Sequence, residues 1–68
     1  MDNITINLNN LLKQKGLKQT FVAEKANISP NILSKILGGK RKITGQELVL
    51  ISEVLAVDPR ELNRPYKI

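Results

Sequence analysis

Residues 19–37 read QTFVAEKANISPNILSKIL. This stretch predicts two short helices meeting at a sharp turn formed by Asn27, Ile28 and Ser29. Ser29 followed by Pro30 is a helix start: a hydroxyl suited to capping, then proline at the first helical position, where its missing N–H costs nothing. Asn27 ends the preceding helix, because asparagine tolerates the left-handed conformation that helix terminators adopt.

A helical wheel separates the faces of the second helix, residues 30–37. At about 100° per residue, Leu33, Ile36 and Leu37 cluster on one side. Asn31 and Lys35 lie opposite, with Ser34 beside them and Ile32 on the flank. One face is built for burial. The other carries side chains that hydrogen-bond base edges. An ordinary amphipathic helix with a solvated face has the same wheel. The turn has the length found in a helix-turn-helix, a motif whose second helix enters the DNA major groove.

Working back towards the N-terminus, the first helix of the pair covers residues 19–26 and turns Val22, Ala23 and Ala26 inward. Two alanines there let helix backbones approach closely. Lys18 stands at the cap position. It is a poor cap near the positive helix end, costing about 1 kcal/mol relative to Ser or Asp. A nearby phosphate would offset that cost, and a tolerated surface lysine also accounts for it. Ile4, Leu8, Leu11 and Leu12 repeat at i, i+4, i+7 and i+8, one face of a helix over about residues 5–15. Thr5 and Asn7 are both candidate caps, and residues 1–3 are expected to fray. Gly16 ends this helix, with Lys13 and Lys15 well placed in its last turn.

Working forward, Gly38-Gly39-Lys40-Arg41-Lys42 follows the 30–37 helix. Two glycines expose backbone N–H groups and three cations follow. The spacing of a nucleotide-binding phosphate loop is absent, and no strand precedes it. A solvated loop and a clamp on DNA phosphates are the two readings; adjacency to the proposed recognition helix favours the clamp. Thr44-Gly45-Gln46-Glu47 is a capping box opening a helix over residues 45–55, with Leu48, Ile51 and Leu55 inward. Asp58-Pro59-Arg60-Glu61 opens a short fifth helix through about Asn63, with Leu62 facing in, and Pro65 stops it. The core is expected over residues 5–63, with a short mobile tail over 64–68. No strand signal and no internal repeat appear.

Sixty-eight residues make one small all-α domain, 1–68. With one Phe, one Tyr and no Trp, the core is aliphatic, and no aromatic row exists to stack single-stranded bases. There is no Cys and no His, which excludes disulfides and zinc fingers. With no paired carboxylates at a recognisable spacing either, an enzyme, a metal or a cofactor is not expected. No stretch is apolar enough to cross a membrane, and a cytoplasmic protein is expected. Net charge is +5, unevenly spread. Residues 1–43 hold eight Lys/Arg against two Asp/Glu, and residues 44–68 hold three against four. The basic part contains the turn, which favours a polyanionic partner, although charge of this size also serves solubility.

Several pieces stand in a telling order: Gly16-Leu17-Lys18-Gln19, Val22-Ala23-Glu24-Lys25, Ile28-Ser29, Leu33-Ser34-Lys35-Ile36, Gly39-Lys40, Leu48, Leu55-Ala56-Val57 and Leu62. Together they resemble the phage Cro and C1 repressor type of helix-turn-helix, the XRE family, over residues 8–62. The resemblance implies a five-helix, lambda-repressor-like fold and a prokaryotic, phage or mobile-element origin. It implies that Gln19 holds a phosphate and braces the recognition helix. Asn31 and Lys35 match the main base-reading positions, and Gly38, Gly39 and Lys40 match a loop whose amides grip the backbone. Arg41 and Lys42 extend that grip as charge.

There are departures. Pro30 stands where the family often has a base-contacting polar residue, and it has no side-chain donor. Asn27 replaces the usual turn glycine. Ile32 replaces a commonly polar residue; it touches a thymine methyl or covers the core edge. The family often pairs an Arg late in helix 1 with a Glu ending helix 3. Here Leu12 and Leu37 stand there, both charges are gone together, and the two leucines are expected to touch. Phe21 occupies a usually polar position and either folds onto helix 1 or joins a protein interface.

The function expected from the resemblance is a sequence-specific regulator of double-stranded DNA, repressor-like, acting as a homodimer on a palindromic operator. The alternative is an antitoxin or anti-repressor type module whose main partner is a protein, with Phe21 and Tyr66 as its support.

Overall fold

A computed structural model describes residues 2–65. The chain forms α1 (Asn3–Lys15), α2 (Gln19–Lys25), α3 (Pro30–Leu37), α4 (Gly45–Leu55) and α5 (Pro59–Leu62), with no strand among the described residues. Each helix contributes to one aliphatic core. Leu8 and Leu12 enter from α1, Val22 and Ala23 from α2, Leu33, Ile36 and Leu37 from α3, Ile51 and Leu55 from α4, and Leu62 from α5. Helix α3 packs on α1 and α2; α2 also packs on α4, and α5 closes against α1 and α4. Leu12 and Leu37 thus enter one buried cluster where α1 meets α3.

Three local expectations are corrected. Helix α1 begins at Asn3, and neither Thr5 nor Asn7 caps it. Asp2 does, its carboxylate accepting from the Thr5 N–H at 2.8 Å. That bond lets the helix start two residues earlier than the apolar repeat indicates, so Asp2 and Asn3 are ordered by α1. Thr5 is itself buried under the first turn. At α3, Ser29 is the N-cap but its hydroxyl makes no capping bond. Its backbone carbonyl accepts from Leu33 N–H at 3.0 Å, and Pro30 sets the first helical φ. Helix α2 ends at Lys25, with Ala26 as its cap in right-handed conformation. The tail expectation for residues beyond Pro65, with Tyr66 as a contact, falls outside the described residues, as does Met1.

Four helices end in the same way. Behind each, one residue adopts positive φ: Gly16 at 66°, Asn27 at 57°, Gly39 at 74° and Ala56 at 58°. After α2, Ile28 N–H donates to Ala23 C=O at 2.9 Å and Asn27 N–H to Glu24 C=O at 3.2 Å. After α4, Val57 N–H donates to Ser52 C=O at 3.0 Å and Ala56 N–H to Glu53 C=O at 3.2 Å. These paired bonds are Schellman closures, which satisfy otherwise orphaned terminal carbonyls. Asn27 performs its expected role. Ala56 is the strained member, since a left-handed alanine costs about 1–2 kcal/mol. Ala56→Gly removes that cost but frees the unfolded chain. The variant is expected to gain about 0.5–1 kcal/mol in urea melts. A lower melting midpoint would show that Ala56 is not strained.

Candidate nucleic-acid interface

Helix α3 divides sharply. Leu33, Ile36 and Leu37 anchor its inner side, while Asn31, Ser34 and Lys35 are exposed. Ile32 is half-buried and packs against the core, so it covers the core edge, one of its two expected roles. The turn leading into α3 places Asn27 and Ser29 on the surface and leaves Ile28 half-buried against the core. At the start of α2, Lys18 is the N-cap without a side-chain capping bond, and Gln19 opens the helix; both are exposed.

After α3 the chain turns through Gly38 and Gly39. A Cβ on Gly38 would lie 3.3 Å from the Ser34 carbonyl oxygen, a tight approach. Lys40 and Lys42 are exposed; Arg41 is half-buried. Its guanidinium donates to Glu47 Oε1 at 2.8 Å. The same oxygen accepts from Thr44 N–H at 2.9 Å, and Glu47 N–H donates to Thr44 Oγ1 at 3.2 Å, completing the expected capping box. The Arg41 hydrogen bond holds the Glu47 carboxyl below the usual carboxylate range. Lys18, Lys35, Lys40 and Lys42 have no salt bridge among the described residues. The start of α2, the exposed edge of α3 and the loop after it therefore each carry accessible cations.

A family model described as helix-turn-helix matches residues 8–62. The chain belongs to the Cro/C1-type helix-turn-helix family. It is a helix-turn-helix DNA-binding regulator of lambda-repressor-like fold. No curated protein and no solved structure matches the chain.

Within this helix-turn-helix, the loop differs from what two glycines and three cations imply. Gly38 N–H donates to Ser34 C=O at 3.0 Å and Gly39 N–H to Ile36 C=O at 3.1 Å. Lys40 and Arg41 N–H groups both donate to Lys35 C=O, at 2.9 and 3.3 Å. In the free chain these four amides close the end of α3. Arg41 is likewise engaged, its charge balanced by Glu47. The loop's accessible positive charge is that of Lys40 and Lys42.

The start of α1 lies beside this loop, a juxtaposition that sequence reading missed. Asp2, Thr5, Gly39, Lys40, Arg41 and Lys42 line a cleft of about 240 Å³. The Asp2 carboxyl is held below its ordinary range, first by the Thr5 N–H and in smaller part by Lys42. Phe21 is 43% exposed, with the Lys25 ammonium 5.8 Å from its ring centroid. No helix among the described residues is long and apolar enough to cross a membrane.

Proposed function

We propose that this protein is a sequence-specific, repressor-like transcriptional regulator that lays α3 in the major groove of double-stranded DNA. The observation that carries this reading is the exposed edge of Asn31, Ser34 and Lys35 on a helix whose other face is locked into the core. Asn pairs bidentately with adenine, and Lys donates to guanine O6 and N7. Gln19 and the backbone of Gly38 and Gly39 border the DNA phosphates, and Lys18, Lys40 and Lys42 supply the charge there, with Arg41 bracing the loop. The chain acts as one domain with its core over residues 5–63. One such helix reads only a few base pairs. A symmetric dimer with helices about 34 Å apart reads successive major grooves of a palindrome.

Selection from a random duplex library at near-physiological salt tests the proposal. The expected result is an enriched inverted repeat with half-sites about one helical turn apart. Salt-sensitive retention without enrichment would overturn sequence reading by this chain. A second reading, a module whose main partner is another protein, is favoured by the exposed apolar side chains of Phe21 and Val49.

A further inference from the structure

The last four carbonyls of α3 are all satisfied, but not by equivalent donors. Those of Ser34, Lys35 and Ile36 accept from the amides of residues 38–41, which belong to the same end of the helix and move with it. The carbonyl of Leu37 accepts from elsewhere. Asn9 Nδ2, on α1, donates to it at 2.9 Å and to Thr5 C=O in its own helix at 3.0 Å. Both partners are carbonyl oxygens, so the amide nitrogen must face them. Among the described residues this is the side-chain hydrogen bond that joins α1 to α3. Both helices also contribute aliphatic side chains to the common core, Leu8 and Leu12 from α1 and Leu33, Ile36 and Leu37 from α3. Aliphatic packing holds α3 against the core but is non-directional, whereas a hydrogen bond with two fixed ends adds a defined angle and register at the end of the helix.

We propose that Asn9 is a positioning residue for DNA reading: it fixes the C-terminal end of α3 against α1, and so sets the pose in which Asn31 and Lys35 meet the base edges. Asn9 is half-buried on α1, and its partner is the backbone carbonyl of the last residue of α3. It acts through the helix and not on the nucleic acid. The bond to Thr5 anchors the amide to α1, and the bond to Leu37 passes that anchor to α3. The carbonyl it meets lies at the negative end of the α3 dipole, where a donor is favoured. This inference rests on the reading of α3 as the base-reading helix.

Two variants of the full chain separate positioning from mere stability. Asn9→Leu keeps the branching and the number of side-chain heavy atoms and removes the donor. Asn9→Ser is shorter; its hydroxyl can still bond back to the Thr5 carbonyl four residues earlier but does not extend to α3. Each is compared with the unaltered protein by residual dipolar couplings of the free domain, and by affinity for the selected duplex and a random duplex. The expected result is a changed α3 orientation relative to α1, with α4 and α5 undisturbed. Affinity for the selected sequence falls about tenfold, the scale of one net hydrogen bond, while random-duplex affinity stays within about twofold. Unchanged α3 couplings, or equal loss on both duplexes, would overturn the proposal. If the unaltered protein enriches no sequence, the DNA-reading function fails, and the couplings still decide whether Asn9 orients α3. Should Asn9→Leu fail to fold, Asn9→Ser carries the same comparison.

Discussion

Ile36→Ala is expected to remove about 2–5 kcal/mol of stability. Ile36 is fully buried on the inner face of α3, in contact with the core that all five helices share. Truncation removes three methyl or methylene groups and leaves a cavity that a small aliphatic core cannot fully collapse around. At about 0.05–0.15 kcal/mol per residue, a chain this short is stable by only roughly 3–10 kcal/mol in total. The substitution therefore consumes much of the fold, and DNA binding goes with it, because Leu33, Ile36 and Leu37 are what hold α3 in place. Urea unfolding followed by helical circular dichroism checks this. A loss under about 1 kcal/mol would contradict the burial assigned to Ile36.

Asn31→Ala should leave the fold intact and act on recognition alone. Asn31 is exposed near the start of α3, makes no hydrogen bond to the core, and can be truncated without a cavity. On the selected sequence the expected loss is about 1–3 kcal/mol, the worth of one bidentate base contact. On random DNA little changes. Lys40→Ala provides the contrast. Its ammonium has no salt bridge among the described residues, so it should weaken all sequences alike and lower the salt slope by about one unit. Titrations of both variants at two salt concentrations distinguish the roles. Equal losses for Asn31→Ala on both DNAs would remove it from the base-reading set.

The helix order was legible because its signals are local. Asn27 at the end of α2, Pro30 at the start of α3, the Thr44–Glu47 box and the Asp58-Pro59 start each act within four residues, so spacing alone reveals them. Periodicity also placed Leu33, Ile36 and Leu37 inward, since a helix that must bury one face leaves little choice of which face. Spacing does not single out Asp2 over Thr5 and Asn7, because capping side chains crowd this N-terminus and the apolar repeat starts later than the helix. Ala56 carried no signal at all. Alanine has no turn preference, and its positive φ accompanies the hydrogen bonds that close α4.

The proposed site divides along the same line. That Asn31, Ser34 and Lys35 share one outward edge follows from helical geometry, and the chain's membership in the Cro/C1-type family agrees with it. Which polar groups remain available to a ligand depends on partners distant in sequence. The loop amides looked free next to two glycines, yet closing α3 engages them; Arg41 looked like a free cation, yet Glu47 holds it. Asn9 looked like one surface amide among several, yet it reaches a carbonyl 28 residues away. Helix positions and faces follow from short-range steric and capping preferences carried by the residues themselves. The pairing of donors with acceptors and of charges with countercharges depends on which atoms packing brings within about 3 Å, and only the assembled fold sets those distances.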